Sequence, residues 1–118
     1  MKTDRELLEL AALAAGYEVS DCTCKESLRI TAETPRSHKH WNPLADSGDA
    51  LRLAVELGVT IQIDRVDDLT RILNDAEETI CVGMHFGGGA LVATRNAITR
   101  AAADIGEKMA QNELSREA

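Results

Sequence analysis

Along the chain, apolar positions recur three and four residues apart in three segments, and alternate with polar ones in shorter segments between them. Leu7, Leu10, Ala11 and Ala14 fall on one helical stripe behind a capping box made by Thr3 and Glu6. Gly16 supplies a stop, so a helix is predicted over 3–15. Residues 17–20 and 27–31 read as short strands, with 33–37 closing the second one in a loop. A second helix is predicted from near Asp46, with Asp46 or Ser47 as its cap, and Asp49 suits the positive end of its dipole. Ala50, Leu53, Ala54 and Leu57 form its stripe and Gly58 ends it.

Residues 59–64 alternate as a half-buried strand should, and 79–86 read as another strand. Between them 67–74 fits either a helical turn or a strand with Leu69, Arg71 and Leu73 on one face. The longest helix is predicted over 91–111. Leu91, Ile98, Ala102, Ile105 and Met109 would be buried, and Arg95, Arg100, Asp104, Glu107 and Lys108 would lie largely outside that stripe. The polar tail 112–118 is expected to fray. Short connections between strands favour antiparallel or mixed pairing. The pattern therefore predicts one α+β domain over 1–118, a three-layer α/β/α sandwich with about three helices and a mostly antiparallel or mixed sheet.

Composition narrows the function classes. Trp41, Tyr17 and Phe86 are the only aromatics, so the core must come from Leu, Ile, Val and Ala, and a base-stacking nucleic-acid reader is disfavoured. Twenty acidic against thirteen basic residues give a net charge of −7 without a basic cluster, so no direct contact with duplex nucleic acid is expected. The sign suits solubility or a positively charged protein partner. No apolar run approaches the roughly 20 residues that span a bilayer, so no membrane partner is expected. The opening MKTDRELLEL lacks a secretory apolar stretch, and the cytoplasm is the expected compartment. Cys22, Cys24 and Cys81 are then free thiols by default.

Four constellations could carry chemistry. Cys22 and Cys24 with His38 and His40 form CxC and HxH pairs that could supply four zinc ligands, although structural zinc more often uses CxxC or HxxxH spacing. Otherwise they are exposed thiols and loop histidines, and no cofactor is required. Gly87, Gly88 and Gly89 precede the long helix, where glycines and unpaired N–H groups admit an anion or nucleotide; the Lys and Ser/Thr of a P-loop are missing. Cys81 lies in an apolar strand and His85 is too far along it for a direct hydrogen bond, so no catalytic residue is assigned. Trp41, Asn42 and Pro43 read first as a junction entering the helix, with Leu44 as a staple. Alternatively, Trp41, Asn42, His38 and His40 line a ligand pocket.

These residues also carry a likeness. Trp41-Asn42-Pro43-Leu44, then Asp46 and Gly48 to Val55, resembles the WNPL…DGDALRLAV signature of the phage ABA sandwich domain family. The stretch 93–106 is similar to that family's ATRRAIxRAAAEIG helix, and the two motifs frame 41–106. The resemblance implies an α/β/α sandwich from a phage or prophage and implies no activity. The expected acidic or Pro-containing loop before the last helix is replaced here by Gly87-Gly88-Gly89-Ala90-Leu91, and the CxC and HKH pairs lie outside the matching motifs.

The expectation is therefore a non-enzymatic accessory protein that binds a host or phage protein, such as an inhibitor of host machinery or defence. The acidic pairs Asp67-Asp68 and Glu77-Glu78 would face the partner. The alternatives are a small-ligand module for a nucleotide or metal, and a structural phage protein that forms a defined homo-oligomer.

Overall fold

The computed structural model describes residues 3–17, 19–21, 28–31, 38–86 and 88–117, with the backbone alone for 19–21, 28–31, 38–40 and 114–117. Within these residues the order is α1 (Asp4–Ala15), β1 (Val19–Asp21), β2 (Leu28–Thr31), β3 (His38–Trp41), α2 (Ser47–Leu57), β4 (Thr60–Asp64), β5 (Leu69–Leu73), β6 (Thr79–Met84) and α3 (Gly89–Glu117). The class is α+β, as the pattern predicts. The strands form two antiparallel three-stranded sheets, β1-β2-β3 and β4-β5-β6.

The first two helices are bounded by local chemistry. Thr3 Oγ1 accepts the Glu6 N–H of α1, and Asp46 Oδ1 accepts the Asp49 N–H of α2. Both helices end alike, with Gly16 and Gly58 at φ 79° and 68°. A left-handed residue there lets the following N–H reach back, Tyr17 to Ala12 O at 2.9 Å and Val59 to Ala54 O at 3.3 Å.

The third helix differs from its prediction. It runs 29 residues, about 43 Å at 1.5 Å per residue, and continues through the segment expected to fray. Its buried positions are mostly small: Ala93, Ala97, Ala101, Ala102 and Ala103, with Ile98 and Thr99, whereas Leu91 and Met109 are exposed. Small residues let α3 approach its neighbours closely. A Cβ on Gly106 would collide with the Leu10 carbonyl of α1, and one on Gly83 would sit 2.6 Å from Ala93 O. The core joins Ala97, Ile98, Ala101 and Ala102 of α3 to Leu8, Ala11 and Ala12 of α1, Ala50, Leu53 and Ala54 of α2, Ile72 of β5 and Trp41 of β3.

One open reading is resolved and one is corrected. Residues 67–74 hold a strand, β5, because Thr70 and Ile72 alternate into the core and turns flank them. His38–Trp41 also form a strand, β3, paired with β2 in the register Leu28↔Trp41, rather than a loop before α2.

Candidate functional site

The junction motif proves to be packed structure. Trp41 is 1% exposed and meets the Tyr17 ring edge-on, with centroids 5.7 Å apart and planes at 86°. Asn42 Oδ1 accepts the Leu44 N–H at 3.1 Å, and the buried Asp49 carboxylate accepts the Asn42 N–H at 3.0 Å while pairing with Arg52 at 3.5 Å. Arg95, expected outside the stripe of α3, instead donates from Nε to Leu44 O and from Nη1 to Ser47 Oγ. Trp41 and Asn42 therefore fasten β3 and α2 to the core, and the indole is enclosed rather than set on a pocket wall.

A concave surface forms elsewhere, between β6 and α3. It encloses about 450 Å³ and is lined by Val82, Met84 and Phe86 on one side and Val92, Ala93, Asn96 and Arg100 on the other. Gly88 and Gly89 close one end. Of the predicted site residues these two glycines reach it; Gly87 lies outside the described residues.

The groove exists because of sheet phase. Ile80 and Cys81 both pack against the core, since a bulge breaks the β5–β6 register between Ile72 and Leu73. After that bulge Gly83 turns inward, and Val82 and Met84, opposite Arg71 and Leu69, turn outward. They are 41% and 45% exposed, and Phe86 beyond them is 78% exposed.

The hydrogen-bond phase follows from the turn. His85 N–H donates to Asp68 O at 2.9 Å, one step past the Leu69↔Met84 pair. Bonded and non-bonded pairs alternate in an antiparallel ladder. Cys81 and Gly83 thus bond to β5, and the N–H and C=O groups of Val82 and Met84 point to the outer edge. Among the described residues no strand pairs with that edge.

Around the groove, Thr70 is fully buried and its hydroxyl joins His85 Nε2 at 2.8 Å to Thr94 Oγ1 at 2.9 Å, tying the loop after β6 to α3. Burial pushes the Cys81 thiol above its ordinary pKa, against a smaller opposing pull from the Arg100 guanidinium. That makes Cys81 a poor nucleophile. Arg100 and Asn96, one turn apart on α3, are the polar groups of the groove.

The acidic pairs lie at opposite ends of β5, on the order of 17 Å apart at 3.3 Å per residue. Each occupies a hairpin turn, and Asp68 and Glu77 take the left-handed positions at φ 53° and 62°. Asp64 Oδ1 receives the Val66 and Asp67 N–H groups in one turn, and Asn74 Oδ1 receives those of Ala76 and Glu78 in the other. The Asp67 N–H, with help from Val66 and Arg71, holds the Asp64 carboxyl below its ordinary pKa.

Of the zinc candidates, His38 and His40 lie on β3, and Cys22 and Cys24 fall outside the described residues. Among the described residues no three His, Cys, Asp or Glu side chains gather for a metal ion, and no helix is long and apolar enough to cross a membrane. Val82, Met84, Phe86, Asn96 and Arg100 escape sequence reasoning; an unpaired aromatic at the end of a strand was the available signal. Comparison with family models, with curated proteins and with solved structures finds no match.

Proposed function

We propose that this chain is a non-enzymatic accessory protein of phage or prophage origin, layered as an α/β/α sandwich, that binds a host or phage protein in the bacterial cytoplasm. Interference with host machinery or defence is the form of action that its acidity suits. The observation that carries the reading is the row of large apolar side chains, Val82, Met84 and Phe86, left exposed along an open strand edge. Contiguous exposed apolar surface of this kind marks interaction sites in soluble proteins. The resemblance of 41–106 to the phage ABA sandwich signature supports the origin.

Affinity capture from a bacterial lysate tests it. A variant carrying Asp67→Asn, Asp68→Asn, Glu77→Asn and Glu78→Gln removes the charge of both acidic pairs, and asparagine tolerates the left-handed positions. We expect wild type to retain a host protein that this variant loses by about tenfold, the scale of electrostatic steering at modest charge. Equal retention would sink the acidic-interface reading.

The groove's volume of about 450 Å³ favours a second reading, a small-ligand module, because such sites span about 300–1,000 Å³. Native mass spectrometry separates the two. Mass beyond the bare chain matching a nucleotide or zinc supports the ligand reading, while the stoichiometry reports a homo-oligomer of the kind a structural phage protein would form.

A further inference from the structure

The groove has as one wall β6, whose outer edge no strand covers among the described residues, and as the other α3. We infer that its occupant is an extended segment of a partner protein that adds to β6 as a fourth strand, with apolar side chains in the groove and lysine or arginine at both ends. This rests on the protein-binding reading and names the partner's chemistry.

Main-chain geometry carries the first half. Val82 and Met84 direct two N–H and two C=O groups outward along the edge. An added strand satisfies those groups, and main-chain bonding supplies affinity with little demand on sequence. Its side chains alternate, so one set enters the apolar space between Met84, Phe86, Val92 and Ala93. Asn96 and Arg100 line the same space and can donate to the added strand's carbonyls.

Charge decides what that strand is. Beyond one end of the sheet the turn 74–78 carries Asp75, Glu77 and Glu78 and no cation. At the other end the turn 65–68 carries Asp67 and Asp68 against Arg65, a net charge of −1, since Asp64 is paired with Arg71. The nearby start of α3 contributes only about half a positive charge. Both ends are therefore acidic, and a basic-tipped strand is attracted at each. A second copy of this chain is the natural competitor, but antiparallel β6–β6 pairing would set acidic turns against acidic turns. The charge therefore favours a different chain.

Short synthetic peptides of alternating valine and threonine test the inference by fluorescence anisotropy. One is lysine-tipped at both ends and another aspartate-tipped. The lysine-tipped peptide should bind saturably, and the other at least about tenfold more weakly at low salt, with the difference shrinking as salt screens it. N-methylation of one alternate set of peptide amides should abolish binding while the other set tolerates it, because one peptide edge faces β6. On the protein side, Met84→Pro removes an outward N–H without touching the β5 ladder and should abolish binding, while Met84→Ala retains it.

Thermal unfolding checks that Met84→Pro folds, and the methylated peptides decide the matter if it does not. No saturable binding, equal binding of both charge types, indifference to methylation, or a dimer paired through β6 would each overturn the inference. Lysate capture that survives in folded Met84→Pro would overturn strand addition while leaving the protein-binding reading intact. No capture by wild type would remove that reading itself.

Discussion

Where α3 meets α1, Gly106 lies so close to Leu10 that a Cβ has no room, and the neighbouring Ala101 and Ala102 are fully enclosed. The same helix also closes tightly on β6 at Gly83, yet Val82, Met84 and Phe86, turned away from that contact, remain exposed. The less hydrophobic residues are buried and the more hydrophobic ones are left out. Small residues let two backbones approach, so dispersion contacts accumulate along the seam with little side-chain entropy lost. Large residues on an open edge gain nothing until another molecule covers them. The seam accounts for stability, and the groove is available for binding.

The largest effect that would break this contrast is at Gly106. Gly106→Val drives a branched side chain into the α1 backbone, and we expect a loss of about 3 kcal/mol or more, against a total stability of about 5–15 kcal/mol. Phe86→Ser, at an exposed position, should shift stability by no more than about 0.5 kcal/mol. Urea unfolding of both variants measures the difference. Similar losses would mean that the groove is part of the core in solution.

The seam and the groove also differ in how far the sequence foretells them. The caps at Thr3 and Asp46 and the stops at Gly16 and Gly58 are local signals, satisfied by atoms within a few residues, and they place α1 and α2 within about a residue. The strand β4 is legible because apolar and polar residues alternate along it without interruption, although Ile63 is exposed. The strand β3 is hidden because its polar–apolar order resembles a loop and its pairing with β2 is remote in sequence. The segment 67–74 stays ambiguous until its two turns are known.

The groove is obscured by one residue. Without the bulge at Ile80, period-two reading places Ile80, Val82 and Met84 on one inward face; the bulge keeps Ile80 inside and sends the other two out. Gly88 and Gly89 are flagged by composition, but Asn96 and Arg100 look like any solvated helix positions until the crossing of α3 over the sheet is fixed.

Thr70 joins the two regions, and Thr70→Val sharpens the contrast at an intermediate magnitude. Valine keeps the shape and deletes the hydroxyl that links His85 and Thr94. The half-buried His85 can turn to water, so the cost should be about 1–2 kcal/mol, well below that of Gly106→Val. The released loop should show itself locally: faster amide hydrogen exchange at His85 and Gly89, whose N–H groups bond Asp68 O and His85 O, with α1 unchanged. Uniform acceleration across the chain would mean that Thr70 serves global stability rather than the groove's closed end.

The smallest expected effect lies at the sheet's acidic turn. Asp64 accepts two turn N–H groups and pairs with Arg71 at 3.5 Å, interactions that favour its ionised form. Its folded pKa is depressed, so its stabilising contribution is present above the ordinary value of 3.8 and is lost as pH falls through the lower folded value. Asp64→Asn keeps an oxygen acceptor for the turn but has no charge to lose. The two proteins should therefore differ in unfolding midpoint near neutral pH and converge in acid, while the exposed apolar row of β6, which holds no carboxylate, stays unaffected. An NMR titration of the Asp64 carboxyl with a midpoint at or above 3.8 would show that the turn does not hold its charge.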